Sequence, residues 1–346
     1  MAMATRGKRP SFEQLPLHPD DPPFSAWGLY GPEDNLGTLN MIVPETVVEA
    51  AKEIKTGVRI GLDLPMDFLA RPSHNRLRLT HTLVRKDPRL VHDDCVSFNT
   101  QISNQWDGFR HYGYQKERIF YGGVKTEEIS WPGISNETGE RAWYQGPSMT
   151  PRLGIHHWCR QGIMGRGVLL DYLRWAQANG KGYDLMGDHA ISVDDLQACA
   201  DAENVELRIG DILFVRSGWT VGYTALTEDE KVRYSYAEPT VLVGLETSVK
   251  TAKWLWDGSF SACGGDSPGW EKWPALPGEG EVGGIGKYRL HEVLLNGWGM
   301  PIAEMLDLED LSKECERLNR WSFFFGSMPN NIVGGVASPC NAFAVM

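Results

Sequence analysis

The chain has 346 residues, a formal net charge of −11 and a pI near 5.3. Its 42% hydrophobic content supports a large core and excludes a disordered class. The acidic balance, without basic blocks, excludes non-specific nucleic-acid or anionic-membrane binding, and no apolar run reaches the roughly 20 residues of a membrane helix.

Residues 1–25 are rich in Pro, Asp and Lys and read as an extended surface segment. The first ten residues are basic but lack an apolar stretch, so a cytoplasmic protein without a secretory leader is expected. Residues 44–55 read as a helix, with Pro44 in its first turn and Val47, Val48, Ala51 and Ile54 as one apolar stripe. Val58–Pro65 reads as a strand. His74, His81 and His92 lie in a polar stretch without metal-type spacing and read as solvated. Residues 122–143 form a long irregular segment of the kind that serves as a lid or subunit contact.

A short helix is expected at 153–159, carrying His156 and His157. A glycine turn then feeds a buried strand within 162–172. No G-x-G-x-x-G opens a helix here, which argues against a nucleotide fingerprint. Ser192 is the expected N-cap of a helix running to Ala202. Asp211–Ser217 reads as a core strand, 246–256 as a helix, and Phe260–Pro268 as a strand ending in a G-G-D-S-P turn. Leu290–Leu295 reads as a helix, P-I-A-E at 301–304 as a strand, and Asp307–Leu311 as the start of a turn. Residues 321–345 read as two strands around a loop. Strands alternating with helices give an α/β class. The six cysteines form no C-x-x-C pair and read as free thiols.

The chemistry concentrates in Gln101–His111, Q-I-S-N-Q-W-D-G-F-R-H. Val96 and Phe98 alternate with polar neighbours, as in a half-buried strand. If that strand persists, Gln101, Ser103, Gln105 and Asp107 share one face. Asp107-Gly108 then ends it in a turn, and His111 folds back over the polar face. An ordinary surface hairpin fits the same local pattern.

Several stretches, taken together and in order, resemble the cyclase family, the metal-dependent hydrolases that include kynurenine formamidase and isatin hydrolase. They are D-N-L-G-T-L-N at 34–40, Gln101–His111, G-I-M-G-R-G-V-L-L-D at 162–171 and G-D-I-L-F-V-R-S-G-W at 210–219. Further matches are G-L-E at 244–246, G-G-D-S-P at 264–268, residues 291–306 and N-I-V-G-G-V-A-S-P at 331–339. The resemblance implies a single α/β domain over 26–346, with a mixed, barrel-like central sheet flanked by helices, and a homodimer or homotetramer. It also implies a site built on H-x-G-T-H-x-D-x-P-x-H, whose first two His and Asp bind a divalent metal and whose last His transfers protons.

The present chain departs from that motif. Gln101 and Gln105 stand where the two metal-binding His are expected, Asp107 matches the Asp, Phe109 replaces the Pro, and His111 matches the last His. Glu304 matches a C-terminal ligand Glu, and His291 is the best match to its partner His. The implied metal set is thus Gln105, Asp107, His291 and Glu304, with Asp107 and His111 as the catalytic pair. Carboxamide and carboxylate oxygens favour manganese over zinc. Either a divalent ion (Mn or Zn) remains, or the site works without metal through His111 and Asp107 with amide hydrogen bonds.

Gln101, Gln105, Trp106, Phe109, Arg110 and Tyr121 are the expected substrate contacts, with Tyr112 as a further aromatic. The expected function is hydrolysis of an amide, lactam or lactone of a small molecule, with His111 as general acid/base. The alternatives are a metal-independent cyclase, lyase or isomerase in a biosynthetic pathway, and an inactive small-molecule binding protein.

Overall fold

The computed structural model describes residues 9–72, 76–129, 150–237, 240–274 and 288–346. Its thirteen strands are β1 (Arg59–Gly61), β2 (Thr80–Arg85), β3 (His92–Ser97), β4 (Gln105–Asp107), β5 (Ile163–Leu170), β6 (Ala190–Ile191) and β7 (Ile212–Val215), then β8 (Gly244–Leu245), β9 (Ala262–Gly265), β10 (Ile302–Glu304), β11 (Ser322–Ser327), β12 (Ala337–Ser338) and β13 (Ala342–Val345). Nine of them form one sheet in the order β1-β13-β11-β5-β7-β9-β10-β4-β12. The run β5-β7-β9-β10 is parallel and the remaining pairings are antiparallel. The sheet curls into a half-barrel flanked by helices, as the family resemblance implies.

The parallel strands are buried on both faces. Every residue of β7 is buried, and its side chains alternate between two apolar clusters. Leu213 and Val215 belong to the cluster that holds Leu196, Leu255 and Ile302, while Ile212 and Phe214 belong to the one that holds Trp106, Phe323 and Phe325. That is the period-two geometry of a strand covered on both sides. β9, A-C-G-G, has small residues because its neighbours are close. A Cβ on Gly264 would lie 2.6 Å from that of Ala303 in β10.

The expected helix at 193–202 forms, with Ser192 Oγ accepting from the Asp195 N–H. The helix Val249–Asp257 also forms, buries Ala252, Leu255 and Trp256, and is capped by Ser248. All six cysteines are free.

Several local expectations are corrected. The half-buried strand predicted from Cys95 through Gln105 is two strands. β3 ends at Ser97, turns and bends occupy 100–104, and β4 begins at Gln105. Among the described residues β3 pairs only with β2, and every residue of both is exposed, His81, His92 and Cys95 included. Its alternation faces no core. The helix Pro44–Ala51 buries Ala50, while Val48 and Ile54 of the predicted stripe are exposed. Residues 309–318, overlapping the turn expected to start at 307–311, are a helix whose Leu311 and Cys315, four apart, are buried, and Asn319 ends it in left-handed backbone. His74 and residues 130–143 of the segment expected to serve as a lid or subunit contact lie outside the described residues. Among the described residues no helix is long and apolar enough to cross a membrane.

Candidate active site

Three chain regions meet at the β4–β10 boundary. β4 pairs antiparallel with β10 so that Gln105 faces Glu304. Next comes the turn after Asp107, where the His111 N–H donates to the Gly108 carbonyl at 2.9 Å and returns the imidazole toward the strand. The turn requires glycine, because a Cβ at Gly108 would lie 2.4 Å from the Val336 carbonyl oxygen. The third is the π-helix Glu292–Trp298, which His291 precedes.

Asp107 is fully buried. Its Oδ1 accepts from Gln101 Nε2 at 2.8 Å and lies 3.4 Å from Gln105 Nε2. Its Oδ2 has no hydrogen-bond partner and lies 3.7 Å from the Nε2 atoms of both His111 and His291. At that distance the attraction is between charges rather than a hydrogen bond. Gln101 Nε2 stands 3.1 Å from His111 Nδ1 and 3.3 Å from Nε2, placed to donate to a bare ring nitrogen. Glu304 accepts from Gln105 Nε2 at 2.7 Å through one oxygen, and its other oxygen lies 3.0 Å from His291 Nε2. Gln105 Oε1 is buried without a partner.

His291 is oriented by Glu271, a buried residue that sequence reasoning missed. Glu271 Oε1 lies 2.8 Å from His291 Nδ1 and accepts the His291 backbone N–H at 3.0 Å. Its Oε2 accepts the Leu290 N–H and the Thr247 hydroxyl. One carboxylate thus satisfies orphan N–H groups at a helix start and sets a tautomer. Nothing in the local pattern G-W-E marks it, because its partners lie about twenty residues away on either side.

The charges are interdependent. Burial pushes the Asp107 carboxyl up, but His111, His291 and Arg76 outweigh it and hold it below the usual range. Burial, reinforced by the Asp107 charge, pushes Glu304 up to about 7. Burial disfavours the His291 imidazolium, yet Asp107, Glu271 and Glu304 raise it well above its ordinary value. A cluster this rich in carboxylates therefore holds extra positive charge, as a proton or as a cation.

The donor set suits a divalent cation. One ligand atom each from Asp107, His291 and Glu304 lies within 4.8 Å of the others. Asp107 Oδ2 and Gln105 Oε1 are buried and unpartnered, and Glu271 engages Nδ1 of His291, so that Nε2 faces the carboxylates. A carboxylate behind a metal-binding imidazole is the usual supporting arrangement.

A cleft with a volume of about 130 Å³ opens over this cluster. His111, His291, Glu304, Arg76, Tyr112 and Arg289 line it, with an apolar wall on one side. Tyr112 stands edge-on to His291, ring centroids 5.8 Å apart. The other expected substrate contacts are placed elsewhere. Trp106 Nε1 donates to Ser327 Oγ. Phe109 packs between Tyr121 and Trp158. The Tyr121 hydroxyl donates to Asp34. The Arg110 guanidinium donates to the carbonyls of Thr150, Arg152 and Gly334. All four are buried, and none is among the described residues lining the cleft.

The Cyclase family model matches residues 76–272, more than half of the chain. The chain belongs to the cyclase family. A crystal structure of a novel cyclase is 28% identical, with a TM-score of 0.75, and is covered over 93% of this chain and 99% of its own. Isatin hydrolase A from Ralstonia solanacearum is 14% identical, with a TM-score of 0.53 over 88% of this chain and 96% of that one. An isatin hydrolase bound to the product analogue thioisatinate is 12% identical, with a TM-score of 0.54 over 88% and 99%. The two isatin hydrolases share the fold. No curated protein matches the chain. The family resemblance read from the sequence is borne out, and cyclase membership points to an enzyme.

Proposed function

We propose that this cyclase-family protein is a metal-assisted hydrolase that cleaves the C–N or C–O bond of a small amide, lactam or lactone. The convergence of Asp107, His291 and Glu304 beneath a cleft that His111 also lines supports this reading. Gln105 adds a neutral oxygen. With two carboxylates, one carboxamide and one imidazole, the set favours manganese over zinc. A divalent ion held there would polarise the scissile carbonyl and acidify a water.

The chain's own groups do the rest. His111 takes a proton from the attacking water and returns it to the departing nitrogen or oxygen. The buried Asp107 charge, 3.7 Å from His111 Nε2, stabilises the imidazolium formed in between. Gln101 joins the two by donating to Asp107 while standing beside the ring. Metal analysis of the purified protein, with turnover of N-formyl, lactam and lactone panels before and after chelation, tests the reading. Turnover lost on chelation and restored by manganese is expected. Full turnover by metal-free protein would favour the alternative, a metal-independent cyclase, lyase or isomerase, which the donor orientation of the Gln101 and Gln105 amides also suits.

Assembly of identical subunits is part of the proposal. Among the described residues the β2–β3 hairpin has no third strand and exposes Leu83, Leu90 and Val96, and an isolated two-stranded hairpin is marginal in water. Light scattering that finds a monomer would remove this part.

A further inference from the structure

Arg289 lies two residues before His291 and lines the same cleft. Its guanidinium stacks on Trp273, with Cζ 4.0 Å from the ring centroid, and its backbone N–H is taken by Glu292. Stacking fixes the plane of the guanidinium and leaves its edges for hydrogen bonds. Yet Nη1 is buried and, among the described residues, has no hydrogen-bond partner. A buried cationic donor without an acceptor is costly, and that cost is relieved when an anion arrives.

A second guanidinium, Arg76, lines the cleft and is tied back by a bond from Nη1 to the Gln101 carbonyl. Tyr112, Leu242 and Pro268 add apolar wall. The cleft thus pairs a pre-oriented cationic edge with an apolar face, next to a cluster that handles protons and a polarised carbonyl.

We propose that Arg289 binds a carboxylate of the substrate, so that the protein acts on a small, carboxylate-bearing acyl compound with a flat apolar body. This rests on the reading of the cleft as the substrate site. A carboxylate seated on Arg289 would hold the scissile carbonyl in register with His111 and exclude neutral analogues, because they leave Nη1 unpaired.

Calorimetric titration of the full chain with benzoate and with benzamide tests the inference without turnover. Titrations run on chelator-treated protein, so that benzoate cannot bind a metal instead. Benzoate is expected to bind at least about tenfold more tightly than benzamide, as a charge-assisted bond to Arg predicts. Arg289→Met should remove that preference, Arg289→Lys should keep part of it, and His111→Ala should leave it intact. Thermal melting establishes that each variant is folded, and the wild-type comparison stands alone if Arg289→Met is not. Equal binding of the two probes, no binding of benzoate, or an unchanged preference in folded Arg289→Met would overturn the inference. If hydrolysis proves independent of His111 while the preference follows Arg289, the catalytic reading fails and the anion site stands.

Discussion

Glu271 grips His291 twice with one oxygen, which lies 2.8 Å from Nδ1 and accepts the backbone N–H at 3.0 Å. Side chain and main chain of His291 are therefore set by the same carboxylate. Carboxylates behind metal-binding imidazoles raise ligand basicity, and losing one typically costs about 10–100-fold in metal affinity. Glu271→Gln keeps an acceptor for the backbone N–H and loses the charge. Its manganese affinity should fall within about that range, and the melting temperature should fall too, because the new amide nitrogen faces the Leu290 N–H and Thr247 hydroxyl that Oε2 accepts. Calorimetric titration with manganese measures it, and unchanged affinity would remove Glu271 from this role.

His111 lines the cleft next to the buried Asp107 charge but is outside the three-residue cation cluster. His111→Ala should lower kcat by about 10²–10⁴-fold, the usual worth of a general acid/base. Metal stoichiometry should hold at the wild-type value. A variant with wild-type kcat would exclude His111 from proton transfer.

Gln105 stands where the family motif has an imidazole, and its amide nitrogen is engaged with Glu304 at 2.7 Å. Gln105→His replaces a weak, hard donor with a borderline nitrogen. Zinc affinity should rise by about tenfold or more, with a smaller gain for manganese, following ligand softness. Competition against a chromophoric chelator separates the two ions, and equal gains would show that donor type does not set selectivity.

Away from the site, burial and then the Asp171 charge push Glu203 up to about 8. One of its oxygens accepts the Asp171 N–H, and the other has no partner. The folded protein therefore binds this proton more tightly than the unfolded chain, whose value is 4.5. The contribution is fully present below that unfolded value and declines as pH rises toward about 8. Glu203→Gln, which mimics the protonated acid, should flatten this slope and make the protein more stable than wild type at pH values above about 8. Denaturant titrations at acidic and alkaline pH measure the difference, and parallel pH profiles would contradict it.

Local chemistry in the sequence determined much of the frame. The apolar runs in β5 and β7, the Ser192 cap, the Asp107-Gly108 turn and the return of His111 follow from interactions within a few residues. Tertiary structure decided what each face meets. Alternation at 95–98 predicts a two-faced strand, but no core lies beneath it, so all of β3 is exposed. Trp106 and Phe109 look equally suited to a cleft or a core, and sheet packing buries both. Glu304 joins Gln105 across 199 residues because β10 pairs with β4 in one register. Glu271 and Arg289 join them because a loop and a helix start fold over the same sheet end. In Gln101–His111 the sequence shows the acid, the imidazole and the two amides. Long-range strand pairing supplies the second carboxylate, and the helix start folded over the sheet end supplies the second imidazole and Arg289.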